Sequence, residues 1–269
     1  MLRTRLLTAA VALPLLLGIV FFLPPIGFTI FIGIVGLWGL YETYEMARPL
    51  SAASFLALLI FGLMPLVWLL AGPYQPPYPD TSRAMLILAT VLVVAISNVV
   101  TVGRFGPSAI PRGLWVVASA SLYVGPLFPF FALLRNGPNG IPLLVLMLLL
   151  VICADSGAYF VGRAIGRHKL AFKVSPGKTI EGAIGGIVAS VAAGLILRPW
   201  TAPNWSLEKM TIFAALVAIL AIIGDLANSA FKRVAGVKDS GWIFPGHGGL
   251  LDRTCSLVLA AVLTYYYSR

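Results

Sequence analysis

Residues 210–233, from Met210 to Arg233, read MTIFAALVAILAIIGDLANSAFKR. Fifteen mostly apolar residues precede Asp225. As a helix they rise about 22 Å, which leaves the carboxylate inside the ~30 Å hydrocarbon layer of a bilayer. Insertion scales put the cost of such a charge at about 2.5–3.5 kcal/mol near a helix centre, so Asp225 is expected to face protein and hold a partner, a cation or a proton. Asn228, Ser229, Lys232 and Arg233 follow three, four, seven and eight residues on, offsets that share one helical face. One stripe thus carries an acid, a hydroxyl and two cations. Its plainest use is an ion pair from Asp225 to Lys232 or Arg233 that ties two helices together.

The rest of the chain agrees with a membrane setting. Of 269 residues, 59% are hydrophobic and 10% charged, too little polar surface for a water-soluble globule. Apolar runs at 6–23, 28–46, 52–71, 84–102, 113–134, 141–165, 182–197, 210–234 and 249–267 predict an all-α, polytopic transmembrane helical bundle of about nine spans. The first run, after Arg3 and Arg5, is read as a retained helix because further spans follow it. Residues 1–135 would hold five spans and residues 136–269 four spans with cytosolic loops. Gly33, Gly36 and Gly39 in span two, and Gly182 and Gly186 in span seven, are spaced for close helix contact. The linkers at 72–83 and 135–140 are rich in Pro, Gly and Asn and read as short turns.

A net charge of +10 is read by sidedness rather than as a nucleic-acid signal, so no nucleic-acid partner is expected. With the amino terminus in the cytosol, fourteen of the 19 Lys and Arg residues lie on the cytosolic side, the asymmetry of a multi-pass protein of the cytoplasmic membrane. Cys153 and Cys255 sit inside apolar runs, which argues against a disulfide framework or a thiolate zinc site.

The acids are uneven too. Asp80 and Glu208 fall on the outer side, whereas Glu42, Glu45, Asp155, Glu181, Asp225, Asp239 and Asp252 gather at the cytosolic half. Loops 162–186 and 232–253 dominate this candidate site. Asp252 and Arg253 open the last span after a loop with Lys238, Asp239, His247, Gly248 and Gly249, returning a second carboxylate and more cations to the depth of Asp225. Two carboxylates among several Lys and Arg is the composition of a magnesium and polyphosphate site. Gly246-His247-Gly248-Gly249 is either an anion-binding concavity ahead of a helix or a plain tight turn. Ser175-Pro176-Gly177-Lys178-Thr179 lacks the first glycine of a phosphate-binding P-loop, since position 172 is Phe. It is read as a basic turn leading to Glu181. Asp155, Tyr159, Arg163 and Gly166 share one face of the preceding span.

Ser229-Ala-Phe-Lys232-Arg233, Lys238-Asp239-Ser-Gly and Pro245-Gly-His247-Gly248-Gly249-Leu-Leu-Asp252-Arg253 closely resemble the signature of the phosphatidate cytidylyltransferases, or CDP-diacylglycerol synthases. Asp155-Ser156-Gly-Ala-Tyr159 and Ser175-Pro176-Gly-Lys178-Thr-Ile-Glu181-Gly182 resemble the same family. The resemblance implies transfer of the cytidylyl group of CTP to phosphatidate, giving CDP-diacylglycerol and pyrophosphate at the cytosolic face. It implies magnesium, with room for a second cation, on Asp225 and Asp252, and triphosphate and headgroup binding by Lys232, Arg233, Lys238 and Arg253. Asp239 and His247 join the catalytic set by the same resemblance, and Asp155, Tyr159, Ser175, Lys178, Glu181, Ser229, Gly248 and Gly249 the substrate-binding set. A homodimer is also implied. One departure stands out: the family pattern places another Asp three residues after Asp252, where this chain has Cys255, a poor magnesium ligand.

Two other classes compete. An ion or solute transporter would use Asp225 and Arg253 in a pathway, although nearly all ionisable residues lie toward one face. A CTP-dependent lipid kinase would keep the nucleotide site and transfer the γ-phosphoryl group. The Asp-Gly-x-x-Ala-Arg motif of CDP-alcohol phosphotransferases is not in the sequence.

Overall fold

The computed structural model describes residues 14–48, 52–63, 94–106, 112–243 and 248–269. Residues 14–22 are helical, and Pro24 breaks that helix. Pro25, at the first position of the next, needs no N–H partner there. Helix α1 (Pro25–Met46) is followed by α2 (Ala52–Leu58), which runs on into a π-turn at Leu59–Leu63. Then come α3 (Val94–Phe105), α4 (Arg112–Val124), α5 (Pro129–Arg135) and α6 (Gly140–Ile165). A two-stranded antiparallel hairpin, β1 (Lys169–Ala171) and β2 (Ser175–Thr179), leads into α7 (Ile180–Thr201), α8 (Leu207–Ala235) and α9 (Leu251–Tyr267).

Five of the described helical segments are long and apolar enough to cross a membrane: α1, the joined Val117–Arg135 stretch, α6, α7 and α8. The chain is a helical membrane protein. Exposed Ile30, Ile34, Leu37 and Tyr41 on α1, and Ile184, Val188 and Ile196 on α7, offer apolar faces to acyl chains. Parts of the expected spans 6–23, 52–71 and 84–102 lie outside the described residues.

Two features differ from the sequence expectation. The apolar run at 113–134 is broken into α4 and α5, because Pro126 and Pro129 withhold N–H groups from a continuous ladder. The loop after α6 is a β-hairpin, so the fold is helical with one small sheet rather than purely α. Lys169 pairs with Thr179 and Ala171 with Ser175, with an irregularity between them. Pro176 is tolerated because a two-stranded sheet has only edges.

Gly39, Gly182 and Gly186 make their close contacts inside the chain. A Cβ placed on Gly186 would lie 2.6 Å from the Ala154 carbonyl oxygen, and one on Gly182 2.8 Å from that of Ala158. The backbones of α6 and α7 therefore approach closely only because these side chains are missing. Gly39 of α1 rests on Leu251 and Val124 in the same way. Gly224 of α8 faces the Cys255 carbonyl and the Tyr123 hydroxyl, bringing α8 against α9 beneath the polar cluster.

Candidate functional site

Helix α8 begins at Ser206, whose hydroxyl accepts the Lys209 N–H at 3.0 Å. It ends at Gly236, with φ +76°, a left-handed cap that glycine adopts without Cβ strain. Between these caps the polar stripe of Asp225, Asn228, Lys232 and Arg233 is held in register on one helix.

The ion pairs differ from the simplest expectation. Asp225 reaches the hairpin instead of its own helix: its Oδ2 lies 2.5 Å from Nζ of Lys178 on β2. Its side chain is 41% exposed, and its Oδ1 has no hydrogen-bond donor among the described residues. Lys232 turns to α9, its Nζ 2.5 Å from Asp252 Oδ1, with the Asp252 side chain only 5% exposed. Arg233 donates from Nε to the Val174 carbonyl at 3.2 Å, bracing the hairpin against α8.

Asp252 is densely solvated by protein. Besides Lys232, Oδ1 accepts Asn228 Nδ2 at 3.1 Å. Oδ2 accepts the Ser240 N–H at 2.9 Å, the Ser240 hydroxyl at 3.1 Å and the Gly249 N–H at 3.0 Å. Five donors lie within reach of the two oxygens, the Ser240 hydroxyl being shared with Glu42, and Lys232 holds the place on Oδ1 that a metal cation would take. Gly248, with φ +80°, makes the turn that aims the Gly249 amide at this carboxylate.

Asp155 on α6 faces the same space, within electrostatic reach of Asp225, Lys178 and Arg253. Cys255, one turn into α9 from Asp252 and buried, lies in the combined field of Asp252, Asp225, Lys232 and Glu42. Asp225 and Asp252 thus both lie within electrostatic reach of Cys255. Among the described residues, no group of three His, Cys, Asp or Glu side chains gathers closely enough to hold a metal unaided.

Other sequence candidates divide. Glu181 turns back onto the chain, accepting the Arg167 N–H at 3.1 Å, the His168 N–H at 3.2 Å and a 2.6 Å contact from His168 Nδ1. It clasps the turn between α6 and β1. The Tyr159 hydroxyl accepts Arg163 Nη1 at 2.8 Å on the exposed face of α6. Ser175 begins β2 opposite Ala171, and Ser229 is half-buried on α8. Lys238, Asp239 and Arg253 are exposed, with Asp239 beside Gly248. His247 lies outside the described residues.

Glu42, counted only among the cytosolic acids, and Ser240, the serine of Lys238-Asp239-Ser-Gly, enter the site although neither is among the site residues expected from the sequence. Glu42, on α1, is 2% exposed and accepts the Leu250 N–H at 2.7 Å, the Leu251 N–H at 2.9 Å, the Ser240 hydroxyl at 2.9 Å and Trp38 Nε1 at 3.2 Å. Glu42 is buried on α1 with Gly39 and Met46, whereas Glu45, one turn on, is more exposed and pairs with Arg48 at 3.2 Å.

Comparison with known proteins gives the family. The family model described as "Cytidylyltransferase family" matches residues 3–269. A Pseudomonas aeruginosa protein named phosphatidate cytidylyltransferase is 36% identical over 273 residues, covering 97% of this chain and 94% of the relative. Proteins of the same name from Haemophilus influenzae and Bacillus subtilis are 34% and 32% identical, covering 99% and 98% of this chain and 99% and 96% of their own lengths. A match of this extent, over a chain whose signature residues converge in space, means that the chain belongs to the cytidylyltransferase family.

Proposed function

We propose that this protein is a phosphatidate cytidylyltransferase, which transfers CMP from CTP to phosphatidate and releases pyrophosphate. The observation that carries the reading is the convergence of Lys178, Asp225, Lys232, Asp252, Arg253 and Asp155 from a hairpin and three apolar helices. Such a cluster offers cations for a triphosphate and acids for its counterion at the edge of a bilayer that holds the lipid substrate.

In the reaction, a phosphate oxygen of phosphatidate attacks the α-phosphorus of CTP. The new P–O bond forms as the bond to the β-phosphate bridging oxygen breaks, and pyrophosphate leaves with that electron pair. The attacking phosphate is already anionic near neutral pH, so little general-base help is needed. Lys178 and Lys232 are assigned to offset charge on the phosphates, and cations fixed in a poorly hydrated site act strongly on charge that grows in the transition state. Arg253 and Lys238, at the exposed rim, are assigned to the headgroup and the triphosphate, and Arg233 to holding the hairpin over them.

Magnesium belongs to the same proposal. Asp225 fits it: one carboxylate oxygen lacks a donor among the described residues, and a cation already stands on the other. Asp252 fits only after Lys232 withdraws. A small carboxylate set agrees with the habit of this ion, which binds through one or two carboxylates and completes its shell with water and substrate phosphates. When bound it would neutralise phosphate charge. Asp239, His247, Tyr159, Ser175, Glu181, Ser229, Gly248 and Gly249 remain in the proposed site as substrate-facing residues of the signature.

Nine spans, a cytosolic amino terminus and a cytosolic site form the topological part of the proposal, supported by the excess of Lys and Arg in the loops that carry the cluster. We assign residues 1–135 to scaffold and 136–269 to chemistry, and propose a homodimer. The deciding experiment incubates purified protein with phosphatidate, magnesium and CTP labelled at the α-phosphate. Label in the lipid phase is expected. Lipid label only from γ-labelled CTP would instead make the protein a kinase, and no lipid label from either would restore the transporter reading.

A further inference from the structure

Glu42 has no part in the signature that carries the family resemblance, and it lies on the first long helix, far in sequence from the cluster. It is nevertheless the acceptor on which the end of the 236–250 connection closes. Helix α9 starts without a side-chain cap of its own, Leu250 being the cap residue. Its free amides at Leu250 and Leu251 point instead at Glu42, at 2.7 and 2.9 Å. A helix N-terminus carries partial positive charge and unpaired N–H groups. Here a carboxylate from another helix satisfies both, and its charge needs no lysine or arginine.

The fit leaves no slack. A Cβ on Gly241 would lie 2.5 Å from Glu42 Oε1, and one on Gly249 2.5 Å from Oε2. The two residues after the capped pair are Asp252 and Arg253. Ser240 makes the link tighter, because its one hydroxyl lies 2.9 Å from Glu42 Oε2 and 3.1 Å from Asp252 Oδ2. A hydroxyl has one proton to give. Glu42 and Asp252 therefore compete for it, and a change at one carboxylate alters the hydrogen bonding of the other.

We infer that Glu42 is a positioning residue for cytidylyl transfer: it caps α9 from another helix and, through Ser240, fixes the orientation in which Asp252 holds Lys232. This rests on the proposed reaction, so wild-type turnover is measured alongside every variant. Glu42→Gln keeps the size of the side chain but turns an NH2 group toward donors. With purified protein in phosphatidate micelles, kcat is expected to fall on the order of 10- to 100-fold, the scale of a misplacement of about 1 Å. KM for CTP should change by less than about threefold, because the rim cations that meet the nucleotide are untouched. Ser240→Ala should lower kcat as well, and the double variant should be no slower than the slower single one, since both changes cut the same link.

Wild-type kcat in folded Glu42→Gln, or multiplicative losses in the double variant, would overturn the inference. So would a variant whose only defect is less folded protein. Should Glu42→Gln fail to accumulate, Ser240→Ala decides alone: reduced kcat at unchanged KM supports the link, and full activity removes it. A wild-type protein that makes no CDP-diacylglycerol would instead refute the proposed function.

Discussion

Lys178 of the hairpin and Asp225 of α8 meet at 2.5 Å, joining the β-hairpin to an acid within an apolar helix. The contact answers how a chain with so few charges keeps a carboxylate in that helix: the cation is delivered by another element. Because the pair is partly exposed, it is open to exchange with substrate or ions.

Asp225→Asn should therefore leave the protein folded and cut turnover by at least about 10²-fold, the scale of losing one preorganised electrostatic contact. Lys178→Met should weaken turnover while Asp225 is intact. Transfer of α-labelled CTP into lipid, with elution from a sizing column as the folding control, measures both. Unchanged turnover in Asp225→Asn would remove this residue from the reaction.

Lys232 and Asp252 form the more buried pair, with side chains 14% and 5% exposed. Removing one member of a buried pair leaves an uncompensated charge and typically costs about 3–5 kcal/mol. Lys232→Met is expected to lower the thermal midpoint in detergent well below that of Lys178→Met, whose partner is exposed. Equal midpoints would contradict the burial difference.

Gly224→Ala should separate α8 from α9, because the added methyl would meet the Cys255 carbonyl and lie 2.9 Å from the Tyr123 hydroxyl. Overpacking of this kind costs about 1–3 kcal/mol. Thermal unfolding would register it, and a midpoint equal to wild type would mean that the two helices are not packed as described.

Cys255→Asp tests the departure from the family pattern. The thiol is 3% exposed and already lies in the field of Asp252, Asp225 and Glu42. A fourth carboxylate there should destabilise the protein in a chelating buffer, and magnesium should restore the loss. If magnesium left the midpoint of this variant where the chelator put it, the cluster would not be a divalent-cation site.

How much was legible in the sequence follows how local each property is. The runs that became α6, α7 and α8 were read within a few residues of their ends, since apolar length and helix spacing are carried by neighbours in the chain. The run at 113–134 still supplies one candidate span, Val117–Arg135, with a proline break at Pro126 and Pro129 that apolar length does not reveal, and the hairpin is missed because two strands of three and five residues are too short to show alternation. In the site, Asp225, Lys232 and Asp252 were visible as charges in apolar surroundings. Their partners were not, because an ion pair across helices leaves no periodic trace.

The sequence by itself determined that this is a helical membrane protein and which signature its acids and cations compose. Hydrophobic length, charge excess and motif spacing are additive along the chain, so they survive without coordinates. Only the tertiary structure decided that Lys178 rather than Lys232 meets Asp225, that Asp252 has five donors within reach, and that Glu42 caps the last helix from the first long one. Those outcomes depend on which faces pack together, and close approach at Gly39, Gly186 and Gly224 sets that packing through contacts far apart in sequence.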